Sequence, residues 1–484
     1  MQVLKKFVAP GAAARRFALG CVLGVSSALC MATVQSSALS SVTLWGEPWG
    51  EQWQLYGSKA PYQPRQHWQS YEVAPAGFTA VMVQHVARHG SRGLSSPDDD
   101  DLSLQLWQQA QQEQQLTAKG QQLGEQLRRF QQANAQLGYG NLSALGIEEH
   151  RQMAERLLQR HPALLAEGKA QQRRVRLQHS GRERAVDSAL AFADRLLELV
   201  PELEALLDAP AVATDSLYFH KSAGSEAYSA YRKSDPRLAL VLERLHQSPQ
   251  AQQQARQLLA TVYQEDFIAR LAAGHYRFQA REDDAELRSV MDAAQALFSL
   301  YVTASNLSYE GDWTLHDFME PEAVKFMAYL DDAESFYQRG PAFAGENVTF
   351  QMAARLMLDM LDSVAALQRG EQPYMMELRF THAQVMIPFA TLLGVAGATQ
   401  QMPETVLYSY QNNPWRAALV SPMAANVQWD IYQNAAGQLL VRMLHHEAET
   451  AFKASCQPYP GTRFFYALTE LQRCYQQELI LVAQ

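Results

Sequence analysis

The stretch FTAVMVQHV at residues 78–86 runs without a break into ARHGSRG at residues 87–93. The first part is apolar and contains three valines, a composition typical of a buried β-strand. In an open α/β sheet the carboxyl ends of the strands form the ligand-binding crevice. A glycine such as Gly90 also lets the backbone approach a ligand closely. We therefore expect Arg88, His89 and Arg92 to lie at such a crevice.

The residue types that follow this strand suit phosphate chemistry. Arg88 and Arg92 bracket His89, and burying two guanidinium groups beside an imidazole costs free energy unless an anion joins them. The planar guanidinium group matches phosphate oxygens, and a histidine ring nitrogen can attack phosphorus to form a phosphohistidine. An ordinary charged surface loop is the alternative interpretation of this motif taken alone.

Two other predicted strands end in polar side chains of the same kind. A strand predicted at residues 173–178 is followed by a turn and by Arg184 at the head of a helix. A strand predicted at residues 374–381 ends in His382-Ala383-Gln384. Each strand end could add a hydrogen-bond donor to an anion pocket, although a single histidine at a strand end usually has a structural role.

The composition is that of a folded globular protein. The chain has 484 residues, of which 47% are hydrophobic and 19% charged. These values exclude a collagen-like chain, a disordered chain and a polytopic membrane protein. The formal net charge is −9, whereas a general nucleic-acid binder needs a broad basic face. We therefore expect no nucleic-acid partner.

Residues 1–38 have the pattern of a secretory signal peptide. Lys5, Lys6, Arg15 and Arg16 supply positive charge, residues 17–34 are mostly apolar or small, and Ser36-Ser37-Ala38 offers a cleavage site. A membrane anchor is the alternative interpretation of the apolar run. Removing these residues takes away four positive groups and no acidic one, which changes the net charge from −9 to −13. We predict a periplasmic or secreted protein with no stable membrane association after cleavage.

Two of the four cysteines, Cys456 and Cys474, remain after that cleavage. An even pair in an exported protein indicates a disulfide. Two free buried thiols are the alternative.

The distribution of strand and helix patterns predicts an interrupted α/β body. Further strands are predicted at residues 427–432 and 439–444, whereas residues 201–369 show apolar residues at spacings of three and four. We therefore predict an α/β core formed by residues 60–200 and 370–484. The helical segment 201–369 is predicted to be a subdomain inserted into that core.

In its motifs the chain resembles the histidine phosphatase superfamily, in the branch of acid phosphatases and phytases, and it is most similar to the multiple inositol polyphosphate phosphatases. The resemblance covers nearly all of the chain after residue 38. Residues 88–92 match the family's RHGxR motif, and SGRERAVDSALAF at 180–192 matches a second pattern. Four further segments resemble segments of the family: NLSALGIEEHRQMAERL at 141–157, FTHAQVMIPFATLLG at 380–394, SPMAANVQWDIY at 421–432 and VRMLHHEAE at 441–449.

This resemblance implies the fold and the roles of individual residues. The fold would be a mixed sheet flanked by helices, with a mainly helical insertion. His89 would be the nucleophile, His382 would donate a hydrogen bond, and the transferred phosphoryl group would be held by Arg88, Arg92 and Arg184. Because positioned cations stabilise the charge on the equatorial oxygens, no metal or other cofactor is expected. The expected partner is a small anionic phosphorylated substrate.

One departure from the family concerns the proton donor. The family uses the glutamate of a His-Ala-Glu motif, whereas this chain has Gln384, and an amide cannot protonate a leaving alkoxide. General acid catalysis is typically worth about 10²- to 10⁴-fold in rate. Another acid could serve, with Asp98, Asp99, Asp100, Glu447 and Glu449 as candidates. A neighbouring substrate phosphate could also supply the proton, or turnover could be slow.

The predicted function is an exported phosphomonoesterase that acts on polyphosphorylated small molecules, including inositol polyphosphates such as phytate, through phosphorylated His89. One alternative is a slow or non-catalytic phosphate-binding homologue, because of Gln384. The other is a metal-dependent phosphoesterase that uses His445, His446, Glu447 and Glu449. That cluster lacks the His-Glu-x-x-His spacing of zinc helices, and strand alternation would place His446 opposite His445 and Glu447. We therefore expect no metal site there.

Overall fold

Three parallel strands form the part of the sheet that positions the site. In the computed structural model, which describes residues 51–281 and 284–483, the strands β1 (Thr79–Arg88), β6 (Tyr374–Thr381) and β2 (Arg174–His179) are neighbours in this order. The described residues belong to one compact unit, Leu44–Gln484. The predicted signal peptide, residues 1–38, lies outside the described residues.

The main sheet is mixed, as predicted. Its strand order is β10-β8-β7-β1-β6-β2-β3, and β9 pairs with β8. β1, β6, β2 and β3 are parallel, whereas β7, β8, β9 and β10 join by antiparallel pairing. The strands are β1 (Thr79–Arg88), β2 (Arg174–His179), β3 (Ala211–Val212), β4 (Phe278–Gln279), β5 (Glu286–Leu287), β6 (Tyr374–Thr381), β7 (Asn426–Gln433), β8 (Leu439–His445), β9 (Ala448–Thr450) and β10 (Phe465–Ala467).

Helices cover both faces of this sheet and make up most of the segment between β3 and β6. The α-helices are α1 (Asp98–Gln112), α2 (Ala118–Leu137), α3 (Ala144–Arg160), α4 (Pro162–Ala170), α5 (Glu183–Leu199), α6 (Thr214–Leu217), α7 (Glu226–Ser234), α8 (Pro236–Gln247), α9 (Pro249–Ala260), α10 (Glu265–Ala272), α11 (Val290–Ala304), α12 (Pro321–Arg339), α13 (Ala354–Gln368), α14 (Ala383–Leu393), α15 (Ala417–Val420), α16 (Leu468–Cys474) and α17 (Gln476–Ala483). Short 3-10 helices occur at Glu51–Lys59, Trp68–Ser70, Pro201–Ala205, Phe219–Lys221, Ser305–Leu307, Leu315–Phe318 and Gln351–Ala353.

The central strands are buried on both faces, which explains their nearly continuous apolar sequence. The last seven residues of β1 and of β6 are all buried. Strands covered by helices on both sides have no polar alternation, because neither face meets water. The predicted strands at 374–381, 427–432 and 439–444 therefore agree with β6, β7 and β8 to within one residue at either end.

The segment 201–369 is mainly helical, with the two-residue strands β3, β4 and β5 as exceptions. One continuous cluster of buried apolar residues joins its helices to the sheet, and includes Leu258 of α9 and Trp429 of β7. The division into a core and an inserted subdomain stays a prediction.

The structure joins Cys456 and Cys474 by a disulfide, as predicted. The bond connects the segment before β10 to the end of α16 and closes a loop with a sequence separation of 18 residues. Among the described residues, none of the helices combines the length and the hydropathy that spanning a bilayer requires.

Candidate active site

The carboxyl ends of β1, β6 and β2 meet at one edge of the sheet. Arg88 of β1 is paired in register with Thr381 of β6, and the backbone N–H of His89 donates to the Thr381 carbonyl at 2.8 Å. The backbone N–H of Ser180, just after β2, donates to the Phe380 carbonyl at 3.1 Å. The three strands therefore end at the same edge of the sheet. This brings His89, Ser180 and His382 together, although they are far apart in sequence.

The loop after β1 is held against the start of α3. A Cβ atom on Gly90 would lie 2.3 Å from the Gly146 carbonyl oxygen, so this close approach requires glycine. Glu149 accepts hydrogen bonds from the backbone N–H and the hydroxyl of Ser91, at 2.7 and 2.8 Å, and from the backbone N–H of Tyr62 at 2.8 Å. Sequence reasoning missed Glu149, because a single glutamate on an amphipathic helix carries no signal of its partners.

His89 is held in the form that a nucleophile requires. Its side chain is buried, and Nδ1 lies 3.0 Å from the carbonyl oxygen of Gly90. A carbonyl can only accept, so Nδ1 carries the hydrogen and Nε2 keeps its lone pair. The pKa of His89 lies well below its ordinary value, because burial, Arg88 and His382 disfavour the charged ring. Within the described residues, Nε2 has no hydrogen-bond partner.

Arg88, Arg92 and Arg184 bring positive charge to this histidine without a neutralising carboxylate. Arg88 Nη1 donates to the carbonyls of Ser58, Ser421 and Pro422, at 2.6, 2.7 and 3.0 Å. Burial, together with repulsion from Arg92 and Arg184, lowers the pKa of Arg88 to about 9. None of the three arginines forms an ion pair with a described residue. Such unpaired, mutually repelling cations favour binding of an anion.

His382 lies beside His89 at the start of α14, with ring centroids 5.4 Å apart. Its Nε2 atom is 2.8 Å from the Ser180 hydroxyl, and its Nδ1 atom is buried without a partner among the described residues. When the Ser180 hydroxyl donates to Nε2, Nδ1 carries the hydrogen and becomes a free donor. Burial and Arg184 lower the pKa of His382 to about 2, so the ring is neutral.

A cavity of about 520 Å³ opens next to these groups. Five of the residues that line it are cationic, and none of its described lining residues is an aspartate or a glutamate. The lining consists of Arg184, Tyr218, His220, Lys221, Tyr228, Ser229, Arg232, Lys233, Arg339, His382 and Gln384. The cavity is therefore strongly basic in a chain whose net charge is −9.

Most of these cations could not be found from the sequence. Arg232 and Lys233 belong to α7 and Arg339 ends α12, so they are brought in by the helical segment. Lys221, at the end of the 3-10 helix Phe219–Lys221, also lies in the cavity wall. Lys59 was also missed: burial and the charges of Arg92 and Arg88 hold its pKa well below the usual value, so it lies near these two arginines.

Glu447 and Glu449, two of the candidate acids, are engaged elsewhere. Both carboxylate oxygens of Glu447 are bound, with Arg156 at 2.7 Å and Arg160 at 2.6 Å. These cations lower the pKa of Glu447 to about 2, so at neutral pH its carboxylate carries no proton to donate. Glu449 accepts from the backbone N–H of Glu72 and pairs with Arg442.

The predicted strand geometry at His446 and Glu447 is wrong. Strand β8 ends at His445, and the next two residues have φ values of 51° and 61° in a turn that leads into β9. The alternation of a strand therefore does not apply. The turn is held by tertiary contacts, including the ion pairs of Glu447 and the hydrogen bond from the Tyr71 hydroxyl to its carbonyl at 2.5 Å. Because Glu447 is saturated by guanidinium groups, the metal-dependent alternative loses one of its ligands.

The three candidate acids at the start of α1 have partners of their own. Asp99 accepts from the Ser299 hydroxyl at 2.5 Å, and Asp100 accepts from the Tyr139 hydroxyl at 2.8 Å. Asp98 accepts from Ser96 at 2.7 Å. Of the three, only Asp99 interacts with Lys59 and thus approaches the basic site.

The profile of the histidine phosphatase superfamily (branch 2) matches residues 81–446 of the chain. The chain belongs to this superfamily. The predicted family is thereby confirmed, and the chain is a phosphoric monoester hydrolase. A comparison with curated protein sequences gives no significant match.

Solved structures show the same relationship. A multiple inositol polyphosphate phosphatase from Bifidobacterium longum, in complex with phosphate, has a TM-score of 0.84 and 29% identity over 88% of this chain and 98% of its own. Its complex with inositol hexasulfate has a TM-score of 0.81 and 30% identity, over 87% of this chain and 97% of its own. The phytase from D. castellii has a TM-score of 0.59 and 14% identity, over 88% of this chain and 85% of its own. At this identity the likeness shows the fold alone.

Proposed function

We propose that this histidine phosphatase is exported and hydrolyses inositol polyphosphates, including phytate, through a covalent intermediate on His89. The observation that carries the proposal is the neutral His89 ring, whose Nε2 lone pair is free beside three arginines that lack carboxylate partners. The pattern of residues 1–38 supports export, and the Bifidobacterium structures with phosphate and inositol hexasulfate support the ligand class.

The residues divide the reaction between attack and charge stabilisation. Nε2 of His89 attacks phosphorus in line with the leaving oxygen, and the Nδ1–H bond to Gly90 keeps the ring oriented. The guanidinium groups of Arg88, Arg92 and Arg184 bind the equatorial oxygens, where negative charge spreads in the transition state. Water then attacks the phosphohistidine, and phosphate leaves with its bond to Nε2 broken.

The distribution of charge favours a substrate with several phosphate groups. One phosphoryl group needs only the cations around His89, whereas Lys221, Arg232 and Lys233 supply further positive charge in the cavity wall. A ring that carries several phosphates would use both sets. The negative chain repels such a polyanion at long range, so the attraction must come from this local basic cavity.

A time course of phosphate release from phytate tests the proposal with wild type and His89→Ala side by side. We expect stepwise release by wild type, and a loss of at least about 10³-fold in the variant because the nucleophile is removed. Acid-labile phosphate bound to the wild-type protein after a rapid quench would identify the intermediate. Equal rates for the two proteins would contradict the proposal, and loss of activity in EDTA would favour the metal-dependent alternative.

Gln384 favours a second candidate, a slow or non-catalytic phosphate-binding protein. The side chain lines the cavity at the position where the family has its acid, and an amide has no proton to give. Turnover of p-nitrophenyl phosphate separates the two candidates, because its leaving group needs little help from an acid. A protein that binds phosphate but does not turn over this ester would be a binder.

A further inference from the structure

The described residues that line the cavity include no carboxyl group that could protonate the leaving oxygen. The alkoxide of an inositol ring is a poor leaving group, and its departure is slow unless an acid protonates it. Residue 384 is a glutamine, and the candidates Glu447 and Glu449 are held by guanidinium groups away from the basic cavity. The donor, if the chain has one, must be another carboxyl group near the arginines.

Two carboxyl groups lie near enough to Arg88 to interact with its charge without forming an ion pair, and the oxygens of one of them are already occupied. Glu149 accepts three hydrogen bonds from Ser91 and Tyr62, so both of its oxygens are occupied by the loop that it holds. The other is Asp331 on α12, whose charge interacts with Arg88, Lys59 and Arg339. Among the described residues, no hydrogen bond or ion pair engages the Asp331 carboxylate.

The position of Asp331 is set by the packing of α12 on the 3-10 helix Glu51–Lys59. Its Oδ2 atom lies over Gly57, 2.9 Å from where a Cβ atom would stand. The next residue, Ser58, accepts the 2.6 Å hydrogen bond from Arg88 Nη1, and the one after it is Lys59. The carboxyl group thus borders the segment that holds Arg88 in place.

Asp331 is also reachable from solvent although protein surrounds it. The side chain is exposed, whereas its neighbours Asp332 and Ala333 are buried. Burial by the surrounding protein nevertheless raises the pKa of Asp331, Glu334 raises it further, and Arg339, Lys59 and Arg88 oppose the rise. An accessible carboxyl group inside a cleft can exchange protons with water and meet a substrate. By contrast, Asp332 is bound by the Tyr410 hydroxyl and the Ala417 N–H.

We propose that Asp331 is the general acid of this enzyme, in place of the carboxyl group that residue 384 lacks. The inference rests on the proposed phosphohistidine mechanism. As Nε2 of His89 bonds to phosphorus, the P–O bond breaks, its electron pair passes to the leaving oxygen, and that oxygen takes the proton of Asp331. In the second step the Asp331 carboxylate removes a proton from water, which attacks phosphorus. The electron pair of the P–N bond returns to Nε2, and both groups regain their starting forms.

The test compares two substrates that differ in their need for an acid. We expect Asp331→Asn to lower the rate on phytate by about 10²-fold or more, with a much smaller loss on p-nitrophenyl phosphate. Asp331→Glu, which keeps a carboxyl group, should recover part of the phytate rate. Glu322→Gln is the matched control: it removes one acid from the same helix, where Glu322 is exposed and contacts Lys325. Its rates should equal those of wild type.

The double variant Asp331→Asn/Gln384→Glu separates a proton donor from a structural residue. A glutamate at 384 stands where the family's acid acts, so it should restore phytate hydrolysis to Asp331→Asn by at least about 10-fold. In the wild-type background the same Gln384→Glu change should raise the phytate rate by less than about 10-fold, because an acid is already present. This second measurement does not depend on the folding of an Asp331 variant.

Each result bears on the inference separately from the proposed function. Equal losses on both substrates in Asp331→Asn, or no loss on either, would overturn the role of Asp331 while wild type remains an active phosphatase. A large rise in the phytate rate on Gln384→Glu alone would also overturn it. If wild type and Glu322→Gln hydrolyse neither ester, the proposed function fails, and the inference fails with it.

Discussion

Two groups of arginines in this molecule have opposite electrostatic surroundings. Arg156 and Arg160 of α3 converge on Glu447, whose two oxygens they bind at 2.7 and 2.6 Å. Arg88 and Arg92 lie at the end of β1 and bind only backbone carbonyls among the described residues. The first group is paired with a carboxylate within the protein, whereas the second has no carboxylate in contact with it.

The presence or absence of a carboxylate partner distinguishes structural arginines from arginines that bind a ligand. A guanidinium group that is paired with a buried carboxylate has a structural role, because its removal leaves the buried negative charge less well compensated. A buried guanidinium group without a carboxylate destabilises the unliganded protein and gains its partner only when an anion binds. The pKa values agree: that of Arg156 is raised with Glu447 beside it, whereas that of Arg88 is lowered to about 9.

The largest expected effect is on activity when a member of the unpaired group is removed. Arg92→Met should lower kcat/KM for p-nitrophenyl phosphate by about 10²- to 10³-fold, because a cation that stabilises the transition state is lost. The free energy of unfolding, measured by urea denaturation, should stay the same or rise, since a repelling buried charge is removed. A marked loss of stability would show that Arg92 is structural.

Removal of a member of the paired group should have the converse result. Arg160→Met leaves Glu447 with one guanidinium partner and should lower the free energy of unfolding by about 3 kcal/mol. The value of kcat/KM for the folded protein should remain that of wild type. An active-site role for Arg160 would instead appear as a large fall in kcat/KM at unchanged stability.

Acid should weaken the paired group selectively. The Arg156 and Arg160 charges lower the pKa of Glu447 from 4.5 to about 2, so its carboxylate stabilises the fold fully above pH 4.5. That contribution, up to about 3 kcal/mol, is lost as the pH falls from 4.5 toward 2. Denaturation curves at several pH values should show a shallower acid dependence for Glu447→Gln than for wild type. Parallel curves would mean that Glu447 does not titrate in this way.

The smallest effect is the stabilisation of the unpaired group by an anion. Inositol hexasulfate at 100 times its Kd should stabilise the protein by about 2.7 kcal/mol, because it binds the folded state alone. Differential scanning fluorimetry should show a rise in Tm for wild type and for Arg160→Met, and a smaller rise for Arg92→Met. An equal rise in all three proteins would place the anion elsewhere.

The central strands and the residues at their ends could be predicted because their signals are local. The apolar run before His89 and the one that ends at Thr381 are long enough to define buried strands, and the polar residues follow at once. Parallel strands then bring His89 and His382 to one edge. The two-residue strands β3, β4 and β5 have no such signal, since two residues cannot show a period.

The turn at His446 and Glu447 shows where local reasoning fails. Neither residue favours a positive φ, and the sequence there continues a strand pattern. Their backbone conformation is held by partners from distant segments, among them Tyr71 and Arg160. The gain from satisfying a buried carboxylate outweighs the local preference for an extended chain.

By itself, the sequence determined the family, the central strands and the nucleophile candidate, because each depends on residues that are adjacent in the chain. Only the tertiary structure decided which arginines are neutralised and which are not. Arg160 meets its carboxylate across 287 residues, and Arg339 and Lys233 reach the cavity from separate helices. Electrostatic free energy depends on distances in space, which the order of residues along a chain does not contain.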